Sequence, residues 1–180
     1  MTSAGLVRLT MAADVSPAGL ALIDRATAFD AAMGFGPGPL NRTAPDQVLE
    51  IHTCLHRHGV APSSSFVLAG ILTVREDRGD LVVDPARRSI GVATALLEHL
   101  ASDPSGRPLV ATAFGSHPAA LRLARRFDVP VLTEWHHFVR PHDRAERVVE
   151  RPDDDQLSTL RADGFEHDRT DVCFAWRAGR

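Results

Sequence analysis

Residues Val82 to Leu97 read VVDPARRSIGVATALL. An apolar run stops at Pro85, two arginines and a glycine follow, and an amphipathic run begins. A strand–loop–helix unit of this kind gathers unpaired backbone N–H groups at one point, where the helix dipole also favours negative charge. It is a device for binding phosphate. Arg87 and Arg88 supply charge and forked donors. Gly91 and Ala93 carry little or no side chain, so a pyrophosphate can approach the backbone. The chain has no GxxxxGK[ST] and no GxGxxG after a strand, so the expected anion belongs to a phosphorylated ligand other than a plain nucleotide.

Other groupings point to less. His52, Cys54, His56 and His58 include an i, i+4 histidine pair, but the sequence HTCLH lacks the glutamate of a zinc protease. No metal is expected. Ser63 to Ser65 lack the G-x-S-x-G of a serine hydrolase. Asp153 to Asp155 read as a solvated helix start.

The elements that must position the loop follow from periodicity. Leu6 to Leu9 reads as a strand and Pro17 to Ala32 as a helix, with Leu20, Ile23, Ala26, Thr27 and Asp30 near helical spacing. Gly34 to Pro39 (GFGPGP) is a loop, and Pro45-Asp46 opens an expected second helix through Val48, Leu49, His52 and Leu55. Phe66 to Arg75 is a strand, Glu76 to Asp80 a polar turn, Leu81 to Val83 a strand and Ile90 to Ala101 a helix. Leu109 to Phe114 is a strand. His117-Pro118 starts a helix whose Ala120, Leu123, Ala124 and Phe127 face inward and whose Arg122, Arg125 and Arg126 face out. Val129 to Val139 is a strand, His142 to Asp155 a linker, Asp153 to Ala162 a short helix and Thr170 to Trp176 a closing strand. The expected fold class is α/β, a mixed, twisted β-sheet flanked by helices.

The pattern Val83-x-Pro85 followed by Arg88-x-x-Gly91-x-Ala93 resembles the acetyl-CoA signature of the GCN5-related N-acetyltransferases. ATAFGSHPAALRLARRFDV (Ala111 to Val129), with the TEWHHFVRP that follows soon after, further resembles the N-terminal half of mycothiol synthases. The likeness spans roughly Leu20 to Pro141 and implies a GNAT-like acetyl-CoA-binding domain over 1–141. Residues 142–180 then form a C-terminal extension, since a full second half does not fit in them. The resemblance implies acetyl-CoA as co-substrate and a small-molecule amine as acceptor. Leu81, Val82 and Val83 would meet the acetyl-pantetheine arm. Arg88, Ser89, Ile90, Gly91, Val92, Ala93 and Thr94 would meet the pyrophosphate, and Asp46 the acceptor. The family's general-acid tyrosine falls on Ala124, so His117 or Ser116 at the same helix start would have to replace it. Base candidates are Glu76, Asp80, Glu134, His136 and His137, with the adjacent histidines best placed because neighbouring strand residues point to opposite faces. The alternative is a non-catalytic acyl-CoA-binding domain, a sensor or partner subunit.

Bulk properties agree with this range. A net charge of −3 and a pI near 6.3 give no footprint for nucleic acid and no polybasic membrane patch. All 20 basic residues are arginine and tyrosine is absent, which excludes Schiff-base and P-loop lysine chemistry and any phenolic acid. Two distant cysteines, Cys54 and Cys173, make no disulfide framework, and MTSAGLVRLT is no signal peptide. A cytoplasmic protein, monomeric or homodimeric, is expected.

Overall fold

A computed structural model describes residues 6–35, 45–54, 66–102 and 108–177. Among the described residues, eight strands form one mixed sheet in the order β1-β2-β3-β4-β5-β8-β6-β7. They are β1 (Leu6–Ala12), β2 (Gln47–Cys54), β3 (Val67–Arg75), β4 (Arg78–Val83), β5 (Pro108–Ala113), β6 (Val131–Arg140), β7 (Ala145–Glu150) and β8 (Glu166–Arg177). The helices are α1 (Pro17–Ala32), α2 (Val92–Ala101), α3 (Pro118–Arg126) and α4 (Asp154–Ala162). No helix among the described residues is long and apolar enough to cross a membrane.

Alternation along the strands sorts two cores onto opposite faces of the sheet. Leu22 and Ala26 of α1 pack on Val48, Ile71 and Val82. Val92, Leu96 and Leu100 of α2 pack on Leu49, Ile51, Leu72 and Trp176. Helix α3 shares the α2 face, where Ala120, Leu121 and Ala124 lie against Ala113, Val172 and Phe174. Gly70 lets α2 sit close, because an added Cβ would stand 2.7 Å from Val92 Cγ1 and 3.2 Å from Leu96 Cδ1.

Three expectations are corrected. The second helix from Pro45 is strand β2, paired antiparallel with β1 and β3. Its run Val48 to Ile51 is buried on both faces, and a short run buried all round looks alike as helix or strand until its neighbours are known. The expected turn Glu76 to Asp80 narrows to Glu76 and Asp77, with Glu76 left-handed at φ 46°. The Asp46 carboxylate accepts the Glu76 N–H at 2.6 Å and secures that hairpin. The linker from His142 contains β7, paired with β6. Its alternating charges and valines suit an edge strand that resists further pairing. His56, His58 and Ser63 to Ser65 lie outside the described residues.

Candidate functional site

Strands β4 and β5 run parallel but are registered at a single pair, Arg78 and Val110. Beyond it they separate. The direction of the freed backbone groups can be worked out. Asp84 N–H donates to Ala69 O at 2.9 Å, so by antiparallel alternation Val82 and Asp80 also point their N–H and C=O at β3. Leu81 and Val83 must point theirs into the gap. On the far wall, Val110 N–H donates to Asp77 O, which by the same alternation turns Thr112 toward the gap.

A cavity of about 690 Å³ fills this opening. Residues from both faces of β4 line it, Leu81 and Val83 from the α2 side and Asp80 and Val82 from the α1 side. The gap therefore passes through the sheet. Most of its wall is apolar, including Leu97, Leu109, Ala113, Phe114 and Trp176.

One end of the cavity is the start of α2. Asp84 accepts the Ala86 N–H at 3.0 Å and opens a short turn at Pro85–Arg87. Ser89 and Gly91 then take left-handed conformations at φ 67° and 91°. Nothing lies within 4 Å of a Cβ built on Gly91, so backbone conformation rather than space selects glycine there. Gly91 caps α2 without a side-chain bond. The N–H groups of the first turn thus have no partner inside the helix, as an anion site requires.

The arginines of this loop are already engaged. Arg88 makes a two-point salt bridge to Asp30 of α1, with Nη2 to Oδ2 at 2.9 Å. Its Nε donates to Val83 O at 3.4 Å, and the guanidinium lies 5.5 Å from the Phe29 ring. Arg87 donates to the Thr53 hydroxyl at 3.1 Å. Arg25 pairs with Asp84 at 2.6 Å. Burial pulls the Asp84 carboxyl up, but the Arg25 guanidinium and the Ala86 N–H outweigh it and hold the group below its usual value. These arginines bolt α1 and β2 to the loop, leaving the backbone N–H groups as the donors an anion there would meet first. Asp30's role was hidden in the sequence, although it falls on the same spacing as Ile23 and Ala26; Leu20 of that stripe is exposed and Leu22 takes the buried place. A carboxylate on an apolar stripe was the available signal.

Of the expected cofactor residues, Leu81, Val82, Val83, Arg88, Ser89, Gly91, Val92, Ala93 and Thr94 line the cavity, and the exposed Ile90 does not. His117 lines it and caps α3: Nδ1 accepts the Ala119 N–H at 3.2 Å. The neutral ring therefore carries its proton on Nε2, which lies 3.5 Å from Asp30 Oδ1. Phe35 packs on the ring at 4.5 Å between centroids. Asp80 also lines the cavity, and burial raises its carboxyl above the usual value against the pull of Arg75 and Arg78. Ser116 is adjacent but donates its hydroxyl to Thr170 O at 2.9 Å. Glu134, His136, His137 and Asp46 are not among the lining residues. His136 lies 3.8 Å from Glu134, and its ring neighbours that of His167. His137 pairs with Asp171 at 2.8 Å. Asp46 stands at the β3–β4 hairpin. No cluster of three metal-ligating side chains occurs among the described residues.

With this geometry in view, comparison with known proteins is informative. No protein-family model matches the chain. It is 36% identical over 108 residues to the mycothiol acetyltransferase of Clavibacter sepedonicus, a match covering 58% of this chain and 34% of that protein. It is 40% identical over 60 residues to the mycothiol acetyltransferase of Clavibacter michiganensis subsp. michiganensis, covering 32% of this chain and 20% of that protein. The chain thus spans about a third or less of the curated relatives it matches. Among solved structures, Arabidopsis thaliana NAA60 in complex with a bisubstrate analogue aligns over 96% of this chain and 100% of its own, with a TM-score of 0.50 and 12% identity. At that identity the likeness shows a shared fold, a mixed α/β sheet flanked by helices. The resemblance carried by Val83 to Ala93 is supported in sequence and in architecture.

Proposed function

We propose that the chain is an acetyl-CoA-dependent N-acetyltransferase acting on a small primary amine. The observation that carries this is the gap between β4 and β5, which ends at the open N-terminus of α2. A ligand that is amide-bearing along its length and doubly phosphorylated at one end suits such a gap. Its amides pair with the inward N–H and C=O of Leu81 as an added strand would, while Val83 O stays with Arg88 Nε. Its pyrophosphate meets the N–H groups of the first turn of α2. Arg88 holds the loop in shape through Asp30.

Bound acetyl-CoA supplies an activated acetyl thioester. The chain's own residues do the rest. Val83 N–H points at the gap and polarises the thioester carbonyl. The amine approaches from the α1 face, past Thr27, Asp30 and Asp80. Asp80, made more basic by burial, takes the amine's proton directly or through water. His117 Nε2–H stands at the cavity wall, 3.5 Å from Asp30 Oδ1 and 3.5 Å from Arg88 Nη1, and exchanges that long contact for a hydrogen bond to the departing sulfur. A thiolate with pKa near about 8–9 leaves readily enough for that bond to serve without full proton transfer. The resemblance to mycothiol acetyltransferases and the NAA60 fold supports this chemistry.

A second reading, a non-catalytic acyl-CoA-binding domain, is favoured by Ala124 standing where the family has its acid. Calorimetry with acetyl-CoA followed by a thiol-release assay over an amine panel separates the two. Binding with turnover is expected. Binding without turnover on any amine leaves the second reading, and no heat at millimolar acetyl-CoA removes both.

A further inference from the structure

Residues Phe114 to Ser116 form a tight turn between β5 and α3, and it is unusual in two ways. Gly115 and Ser116 are both left-handed, at φ 59° and 52°. A non-glycine residue held there is strained and persists only where its surroundings over-determine it. The turn also carries Phe114 and His117, which both line the cavity.

What over-determines the turn is strand β8. Asp171 is buried, with 6% of its surface exposed. Its Oδ1 accepts the Gly115 N–H at 2.8 Å, and its Oδ2 takes His137 Nε2 at 2.8 Å. Arg169 Nε stands 3.6 Å from Oδ1. Beside it, the Ser116 hydroxyl donates to Thr170 O. A buried carboxylate is stable only when its oxygens are matched by donors. Here one donor comes from the strained turn and another from the neighbouring strand β6. His137, a base candidate from sequence, thus lies in a chain that runs His137, Asp171, Gly115 and on to His117.

We propose that Asp171 is a positioning residue for His117. Its bond to Gly115 locks the left-handed turn, the turn fixes the start of α3, and that start sets His117 in the cavity wall with Nε2 beside Asp30 Oδ1 and Arg88 Nη1. His137 holds the Asp171 carboxylate in place. The structural part stands without the acetyltransferase reading, while the effect on turnover rests on it.

The test combines histidine ¹⁵N NMR on the full chain with thiol-release kinetics. Wild type shows His117 as the Nε2–H tautomer with Nδ1 accepting a bond and a protected Ala119 amide. Asp171→Asn keeps an oxygen for Gly115 and preserves these signals, with kcat within about threefold of wild type. Asp171→Leu removes the acceptor: the His117 signals average between tautomers, Ala119 loses protection, and kcat falls about 100-fold, the cost of misplacing a reacting group by about an ångström. KM for acetyl-CoA changes much less, because β4 and α2 are untouched. A folded Asp171→Leu with unchanged His117 signals overturns the proposal, as does Asp171→Asn behaving like Asp171→Leu. If Asp171→Leu does not fold, His137→Leu takes its place, and a folded His137→Leu with unmoved His117 signals overturns the proposal equally. Wild type that turns over no amine sinks the acetyltransferase reading while the NMR comparison still decides this one.

Discussion

Ala93→Glu separates anion binding at α2 from the stability of α2. Ala93 is the second residue of the helix, half-buried, and lines the cavity. A glutamate in the first turn favours the helix through its dipole by about 0.3–1 kcal/mol. For a chain of this size that raises Tm by about 1–3 °C. The same carboxylate would stand about 5 Å from a phosphate held on the first-turn N–H groups. At an effective dielectric constant of about 20 the repulsion is about 3 kcal/mol, or roughly 150-fold in affinity. Solvent on the open side of Gly91 screens part of this, leaving at least about tenfold. Ala93→Gln has the same bulk without the charge and sets the steric baseline. Calorimetry with acetyl-CoA and a thermal melt measure the two effects on one sample. The expected result is a protein no less stable than wild type that binds acetyl-CoA at least about tenfold more weakly than Ala93→Gln. Equal affinities for the two variants would show that no phosphate sits at the start of α2, and the reasoning from the left-handed Gly91 would fail.

Three further outcomes are expected. Gly70→Ala drives a Cβ to 2.7 Å from Val92 Cγ1 and lowers stability by about 1–3 kcal/mol in urea titration, the cost of overpacking; a neutral result would mean that α2 can slide freely. Asp80→Asn follows from the raised carboxyl. A raised folded value favours the native state at low pH and costs stability as pH rises through it. The variant is therefore more stable than wild type at neutral pH, with the advantage fading as pH falls through the raised value and gone below the ordinary 3.8, and its thiol release is slower; pH-dependent melts and kinetics check both. His117→Asn keeps a good helix cap, so the melt stays near wild type, while thiol release falls about 100-fold with the loss of the Nε2 donor; unchanged turnover would remove His117 from the chemistry.

The sequence alone determined whatever depends on local order. The bounds of α1, the break at Pro85, the glycine and small residues opening α2 and the proline at the start of α3 are local signals of conformation, and they read correctly. They sufficed to single out a candidate phosphate-binding element and the family it resembles. What failed depended on neighbours. Residues Val48 to Ile51 are buried on every side because α1 covers one face of β2 and α2 the other, and no period within the run reveals that. Tertiary structure alone decided the site's chemistry. The separation of β4 from β5 is a relation between strands whose one registered pair, Arg78 and Val110, stands 32 positions apart. Asp30 meets Arg88 across 58 positions and Asp171 meets Gly115 across 56. A carboxylate's partners are set by distance in space. Loop, helix and strand could therefore be read from the chain, whereas the arginines' occupation by Asp30, Asp84 and Thr53 required the fold.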